Sequence, residues 1–159
     1  MKVVSGGQTG VDRAALDAAI AVGLEVGGWC PAGRVAEDGP LDRSYALTET
    51  PSADPAQRTE WNVRDSDATL VIVRGEALRG GTKLTVEIAR RQSKPFVMLY
   101  LSHEHVEERA INWIRGRGVS TLNIAGPRES EEPGIYELAR AILIRILSEC
   151  VGGAAVHQQ

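Results

Sequence analysis

Three times in this chain a short apolar run ends in a glycine-bearing turn that opens a helical pattern, and no other feature restricts the fold as much. Lys2-Val3-Val4-Ser5 leads into Gly6-Gly7-Gln8-Thr9-Gly10, the run Ala68 to Val73 into Arg79-Gly80-Gly81-Thr82, and Thr121 to Ala125 into Gly126-Pro127-Arg128. A helix placed between two strands carries the chain back along the sheet, so the strands it joins lie parallel. Ala68 to Val73 is apolar almost throughout, as a strand covered on both faces must be. The expectation is α/β: a doubly wound three-layer α/β/α sandwich on a mostly parallel sheet of about five strands.

The remaining elements follow from periodicity. Ala14, Ala15, Ala18, Ala19 and Val22 form a narrow apolar stripe on a helix that can lie close to the sheet, and Leu24 to Trp29 reads as the second strand. Asp54 is placed to cap a helix over 55–64, with proline at its first position. Thr82 is the expected N-cap of a helix reaching Arg91. Pro95 to Leu101 reads as a strand, His103 to Arg117 as a helix, and Ile135, Leu138, Ala139, Ile142 and Ile146 as the stripe of a final helix. From Cys30 to Asp54 no period persists, and a loop of that length in a compact domain is usually functional. The 159 residues suit one ligand-binding domain over 1–149, with a flexible tail over 150–159.

Charge and cysteine usage remove several function classes. The net charge of −3 argues against a general nucleic-acid binder, which carries a basic face. No apolar run reaches the ~20 residues of a membrane span, and no basic and apolar leader precedes the first strand. Cys30 and Cys150 suit free thiols in a reducing cytoplasm. His103 and His105 fall on different faces of a helix start, and no cluster has the spacing of metal ligands, so no protein-built metal site is expected.

In doubly wound sheets the ligand lies beyond the carboxyl ends of the strands, where all three glycine turns fall. A turn there brings backbone N–H groups and a helix dipole to an anion, and glycine lets the ligand approach. Gly6, Gly7, Gln8, Thr9, Gly10, Gly80, Gly81, Thr82, Lys83 and Arg128 are therefore candidates for holding a phosphate, unless the glycines serve only tight packing. Asp12 either orients a ligand hydroxyl or complements the helix dipole. Arg34, Glu37, Asp38 and Arg43 are the loop charges that can close over a ligand. Trp29 and Trp61 either stack on a ring or belong to the core. Cys30 is either a soft ligand or a small buried apolar group.

The segments Ser5 to Arg13, Gly27-Gly28-Trp29-Cys30-Pro31, Ala36 to Pro40, Arg58-Thr59-Glu60-Trp61-Asn62, Gly80-Gly81-Thr82 and Gly126 to Ser130 together resemble the molybdenum cofactor carrier family. The match runs from about Val3 to Leu147. This family resembles a branch of the Rossmann-like superfamily that also holds the LONELY GUY nucleotide phosphoribohydrolases, often labelled lysine decarboxylases. The resemblance implies binding of molybdenum cofactor, a phosphorylated anionic pterin, by a homo-oligomer. Arg58 is similar to the arginine that those hydrolases use, which implies that it can hold the ligand phosphate, and Glu87 is similar to the glutamate that closes their PGGxGTxxE motif. That implies an alternative, hydrolysis of the N-glycosidic bond of a nucleoside 5′-monophosphate with Arg58 and Glu87 catalytic. The motif departs here, with Arg79 in place of its proline and Lys83-Leu84 in place of Gly-Thr. Lys83 and Arg91 also stand four residues either side of Glu87, the spacing of a surface ion-pair ladder. A third reading, a nucleotide-sensing regulator, shares the same site.

Overall fold

The structure, a computed structural model, describes residues 1–75 and 77–153. The chain opens with β1 (Lys2–Val4), α1 (Val11–Ala21) and β2 (Glu25–Gly27). Four short strands follow: β3 (Trp29–Cys30), β4 (Val35–Ala36), β5 (Gly39–Pro40) and β6 (Thr48–Glu49). Then come α2 (Pro55–Arg64), β7 (Ala68–Val73), α3 (Gly80–Arg91), β8 (Phe96–Tyr100), α4 (Val106–Arg117), β9 (Thr121–Ala125) and α5 (Ile135–Gly152). Five strands form one sheet in the order β2-β1-β9-β7-β8, with every neighbouring pair parallel. This is the Rossmann-like three-layer α/β/α sandwich that the sequence pattern predicts.

Alternation along β7 shows how the layers are glued. Leu70 and Ile72 join the large core with α1, α4 and α5, whereas Val71 and Val73 pack with Val86 of α3 on the opposite face. All six residues of β7 are buried, as required of a strand sandwiched between two helical layers. Ala14, Ala15, Ala18 and Ala19 of α1 are fully buried, and their small side chains let α1 and α5 approach closely. Val63, Ile88 and Ala89 tie α2 to α3.

The strand order locates the crevice. If β9 were the first strand in the chain, the order would read 3-2-1-4-5, the doubly wound arrangement of dinucleotide-binding sheets. The winding reverses between β9 and β7, and the space beyond their carboxyl ends is where such folds hold ligands.

Several local expectations are corrected. The strand read as Leu24 to Trp29 breaks at Gly28, whose φ of 117° turns Trp29–Cys30 away to pair with β6. The loop over 30–54 is threaded by short ladders: β4 pairs with β5 as a hairpin, and β6 lies beside β3. Helix α3 begins two residues earlier than its expected cap. Arg79 is the N-cap, and Thr82 lies buried inside the first turn. Helix α4 starts at Val106 because His105 takes a left-handed conformation. Helix α5 continues to Gly152 and so takes in the first residues of the tail expected over 150–159, of which 154–159 lie outside the described residues. Among the described residues no helix is long and apolar enough to cross a membrane.

Candidate functional site

The three turns converge on one cavity of about 120 Å³ at the carboxyl edge of the sheet. Gly6, Gln8 and Asp12 line it from the first turn, Gly81, Thr82 and Thr85 from α3, and Asn123 to Gly126, Arg128 and Glu131 from β9 and its turn. Helix α2 adds Pro55, Arg58, Thr59 and Asn62. Residues far apart in sequence thus share a wall because parallel strands all end at the same edge.

Most of the first turn is taken up by the protein's own groups, although among the described residues the amides of Gly6 and Gly10 have no acceptor. The Gly7 amide donates to Ser5 Oγ at 3.3 Å, that of Gln8 to Asp12 Oδ2 at 3.3 Å, and that of Thr9 to Gln8 Oε1 at 3.0 Å. The Val11 amide donates to the Pro127 carbonyl at 3.1 Å. Its carbonyls are taken as well: Arg58 Nη1 donates to Gly6 O at 2.6 Å, and Arg13 donates to Gly7 O through Nε and Nη2. A Cβ on Gly6 would run into the Arg58 side chain, and one on Gly10 into the Pro127 carbonyl. These glycines admit protein rather than leaving room.

The second turn is open. Among the described residues the amides of Gly80, Gly81 and Thr82 find no acceptor, and the N-cap Arg79 makes no side-chain cap. Those are the orphan donors of a helix start, aligned with the positive end of the α3 dipole. Among the described residues, nothing beyond its own chain neighbours and helix backbone stands within 4 Å of where a Gly81 Cβ would be. Two of these residues, Gly81 and Thr82, line the cavity.

Arg58 and Asp12 face each other across the cavity floor, Nη1 to Oδ2 at 3.7 Å, and both are buried (9% and 8% exposed). Arg58 spends one guanidinium nitrogen on Gly6 O, and among the described residues its other N–H groups have no protein acceptor. Burial pushes the Asp12 carboxyl up to about 6, against the opposing pull of Arg58, of the Gln8 amide and of Arg13. Arg128 Nε is held by Glu131 Oε1 at 2.8 Å, so that cation arrives already paired.

The other candidates fall outside the cavity. Arg34, at a φ of 55°, donates to the carbonyls of Leu41, Asp42, Tyr45 and Leu47 and so holds its own loop together. Lys83 pairs with Glu87 at 3.8 Å on the exposed face of α3, their side chains 62% and 54% exposed. Thr9 Oγ1 donates to Glu37, which also accepts from the Ser130 amide and hydroxyl; these bonds hold the Glu37 carboxyl below its usual range. Asp38 is likewise held down by Arg13. The loop over 30–54 is therefore clamped against the first turn and does not hang over the cavity. Trp29 and Trp61 pack edge to face with centroids 4.7 Å apart. Cys30 is buried with Leu16, Leu41 and Leu47, and both cysteines are free thiols. Among the described residues no group of three or more His, Cys, Asp or Glu could hold a metal ion.

Sequence reasoning passed over Thr85, Asn123 and Glu131. The first two carried a signal: Thr82 and Thr85 are polar residues on the buried face of a helix, and Asn123 interrupts the apolar strand Thr121 to Ala125. Glu131 carried none, since its place depends on how the turn after β9 folds back.

A Rossmann-like sheet with a polar crevice at its point of reversal defines the class, an α/β protein with a crevice between its glycine turns. The chain belongs to the circularly permutated YpsA SLOG family, whose description matches residues 3–147. The permutation is what the strand order displays, with the strand that should come first, β9, arriving last. A solved structure described as "Putative molybdenum carrier protein", from Syntrophus aciditrophicus SB, is 42% identical over 94% of each chain with a TM-score of 0.84. Among curated proteins none matches. The family resemblance read from the residue segments therefore holds.

Proposed function

We propose that this protein is a carrier that binds a small phosphorylated, anionic ligand at the reversal point of the sheet, with molybdenum cofactor the ligand that the name of the solved relative favours. The observation that carries the reading is the pairing of unpartnered α3 amides at Gly81 and Thr82 with the spare guanidinium donors of Arg58 around one cavity. Charge-assisted hydrogen bonds from such donors are the strong ones, and Arg suits a phosphate fork. A cavity of about 120 Å³ suits a phosphoryl group, and the pterin or nucleoside body would lie in the open mouth. The three turns, with Asp12 among them, form the phosphate-facing wall, while Arg34, Lys83 and Gly80 have no direct part. Two free cysteines are in keeping with a cytoplasmic protein, and Ile20 and Leu138, exposed on α1 and α5, with association of copies.

The hydrolase alternative loses its carboxylate, because Glu87 is exposed, paired with Lys83 and does not line the cavity. Purified protein is expected to retain a pterin, seen as a fluorescent product after oxidation, together with molybdenum. Nucleoside monophosphates incubated with it are expected to yield no free base. Base release that Glu87→Gln abolishes would replace the carrier reading with the hydrolase one.

A further inference from the structure

The binding reading leaves Asp12 unexplained, since a buried carboxylate is an odd neighbour for an incoming anion. The cavity holds two cations and two carboxylates. Arg128 is already matched by Glu131 from the same turn, so among the described residues lining the cavity Arg58 is the one positive charge left for a ligand, and an ionised Asp12 at 3.7 Å cancels it. Around Asp12 stand Arg13 on its own helix, the Gln8 amide in the preceding turn, Arg58 from α2, Arg128 and Glu131 from the turn after β9, and the open amides of α3. In so small a cavity little water can screen an anion at the α3 amides from the Asp12 carboxylate.

We propose, on the reading of this crevice as an anion site, that Asp12 selects the charge of the ligand by taking up one proton when a tetrahedral dianion binds. The proton goes to the Asp12 carboxylate and comes from solvent. No covalent bond to the ligand forms. Protonation frees Arg58 for the ligand, removes the like-charge repulsion and turns an acceptor that lines the cavity into an O–H donor. Asp12 Oδ2 can still accept from the Gln8 amide in the neutral form. Burial favours the same step, since the carboxyl already titrates near 6 without ligand.

Inorganic sulfate tests this, because it stays a dianion from mildly acid to mildly alkaline solution and any pH dependence belongs to the protein. Titration calorimetry at about pH 5, 6, 7 and 8 should show affinity falling by about tenfold per unit above the titration of Asp12. In two buffers of different ionisation heat, near neutral pH or above, the heats should differ by about one proton taken up per sulfate. Asp12→Asn should bind sulfate with no proton uptake and with an affinity that no longer depends on pH. Wild-type affinity that is flat with pH, or a dependence that survives in Asp12→Asn, overturns the proposal and leaves the anion site standing. Absence of sulfate binding by both proteins at every pH overturns the anion site as well. The proton count on the wild-type chain decides the matter even if the variant folds poorly.

Discussion

The first and second glycine turns look alike in sequence, each placed after an apolar strand and before a helix, yet they have opposite uses. Around Gly6 to Gly10 the close approach that glycine permits is made by the protein itself: Arg58 over Gly6, Leu41 and Leu47 against Gly7, and the Pro127 carbonyl against Gly10. Around Gly80 to Thr82 no described residue fills the space beside Gly81, and among the described residues the amides of the helix start find no acceptor. A glycine-rich turn marks a place where something must come near the backbone. Whether that something is a ligand or another segment is a separate question, answered by what already fills the space beside each glycine.

The largest expected effect breaks the comparison at its most crowded point. Gly10→Ala must place a side chain at a φ of 73° and overlap the Pro127 carbonyl, so a loss of about 3–5 kcal/mol, or failure to fold, is expected. Gly81→Ala, with open space around its Cβ, should leave chemical denaturation within about 1 kcal/mol of wild type, and any change should favour the helix. Equal costs at the two glycines would show that the turns are not different in kind.

Arg58→Ala comes next, because Arg58 serves both regions. Truncation should weaken binding of a phosphorylated ligand by about 1.5–3 kcal/mol, the range for hydrogen bonds to charged groups. The family resemblance gives Arg58 a phosphate-holding or catalytic part, but its bond to Gly6 O and its pairing with Asp12 add a structural share. The unliganded protein should therefore also lose about 1–3 kcal/mol, from the buried carbonyl left unpaired. A loss of affinity with unchanged melting would assign Arg58 wholly to the open side of the crevice.

Asp12 gives a smaller, pH-dependent effect. Its carboxyl is raised in the folded protein to about 6 from an ordinary 3.8, so the fold binds this proton more tightly than the unfolded chain does. Its contribution to stability is therefore fully present below the unfolded value and is lost as pH rises through about 6. Asp12→Asn should be more stable than wild type at about pH 8 by roughly 1–2 kcal/mol and gain nothing at about pH 3, read from urea unfolding at both. A variant that is less stable at the higher pH would mean that the ion pair with Arg58 outweighs the burial of the charge.

Glu87→Gln should have the smallest effect, within about 0.5 kcal/mol in stability, because an exposed pair four residues apart on a helix contributes little. Ligand affinity should not change. A tenfold loss of affinity would bring Glu87 into the crevice and remove the distinction drawn between the inner and outer faces of α3.

The chain's own pattern was enough for the architecture and for the edge where a ligand belongs. The apolar run of β7, the alanine stripe of α1 and the glycine turns act over a few residues each, and local hydrophobic periodicity together with the parallel return of strand–helix–strand units leaves few alternatives. The packed core is a consequence of that pattern, whereas the strand order, with β9 inserted between β1 and β7, was decided by the tertiary structure. Tertiary structure alone decided which donors stay open. Whether the Gln8 amide meets a ligand or Asp12, whether Arg34 reaches over a crevice or clasps the carbonyls of its own loop, and whether Glu87 looks inward or out depend on contacts between segments distant in sequence. Hydrogen-bond partners are set by distances of a few tenths of an ångström, whereas a sequence pattern specifies only which face of an element turns toward the core.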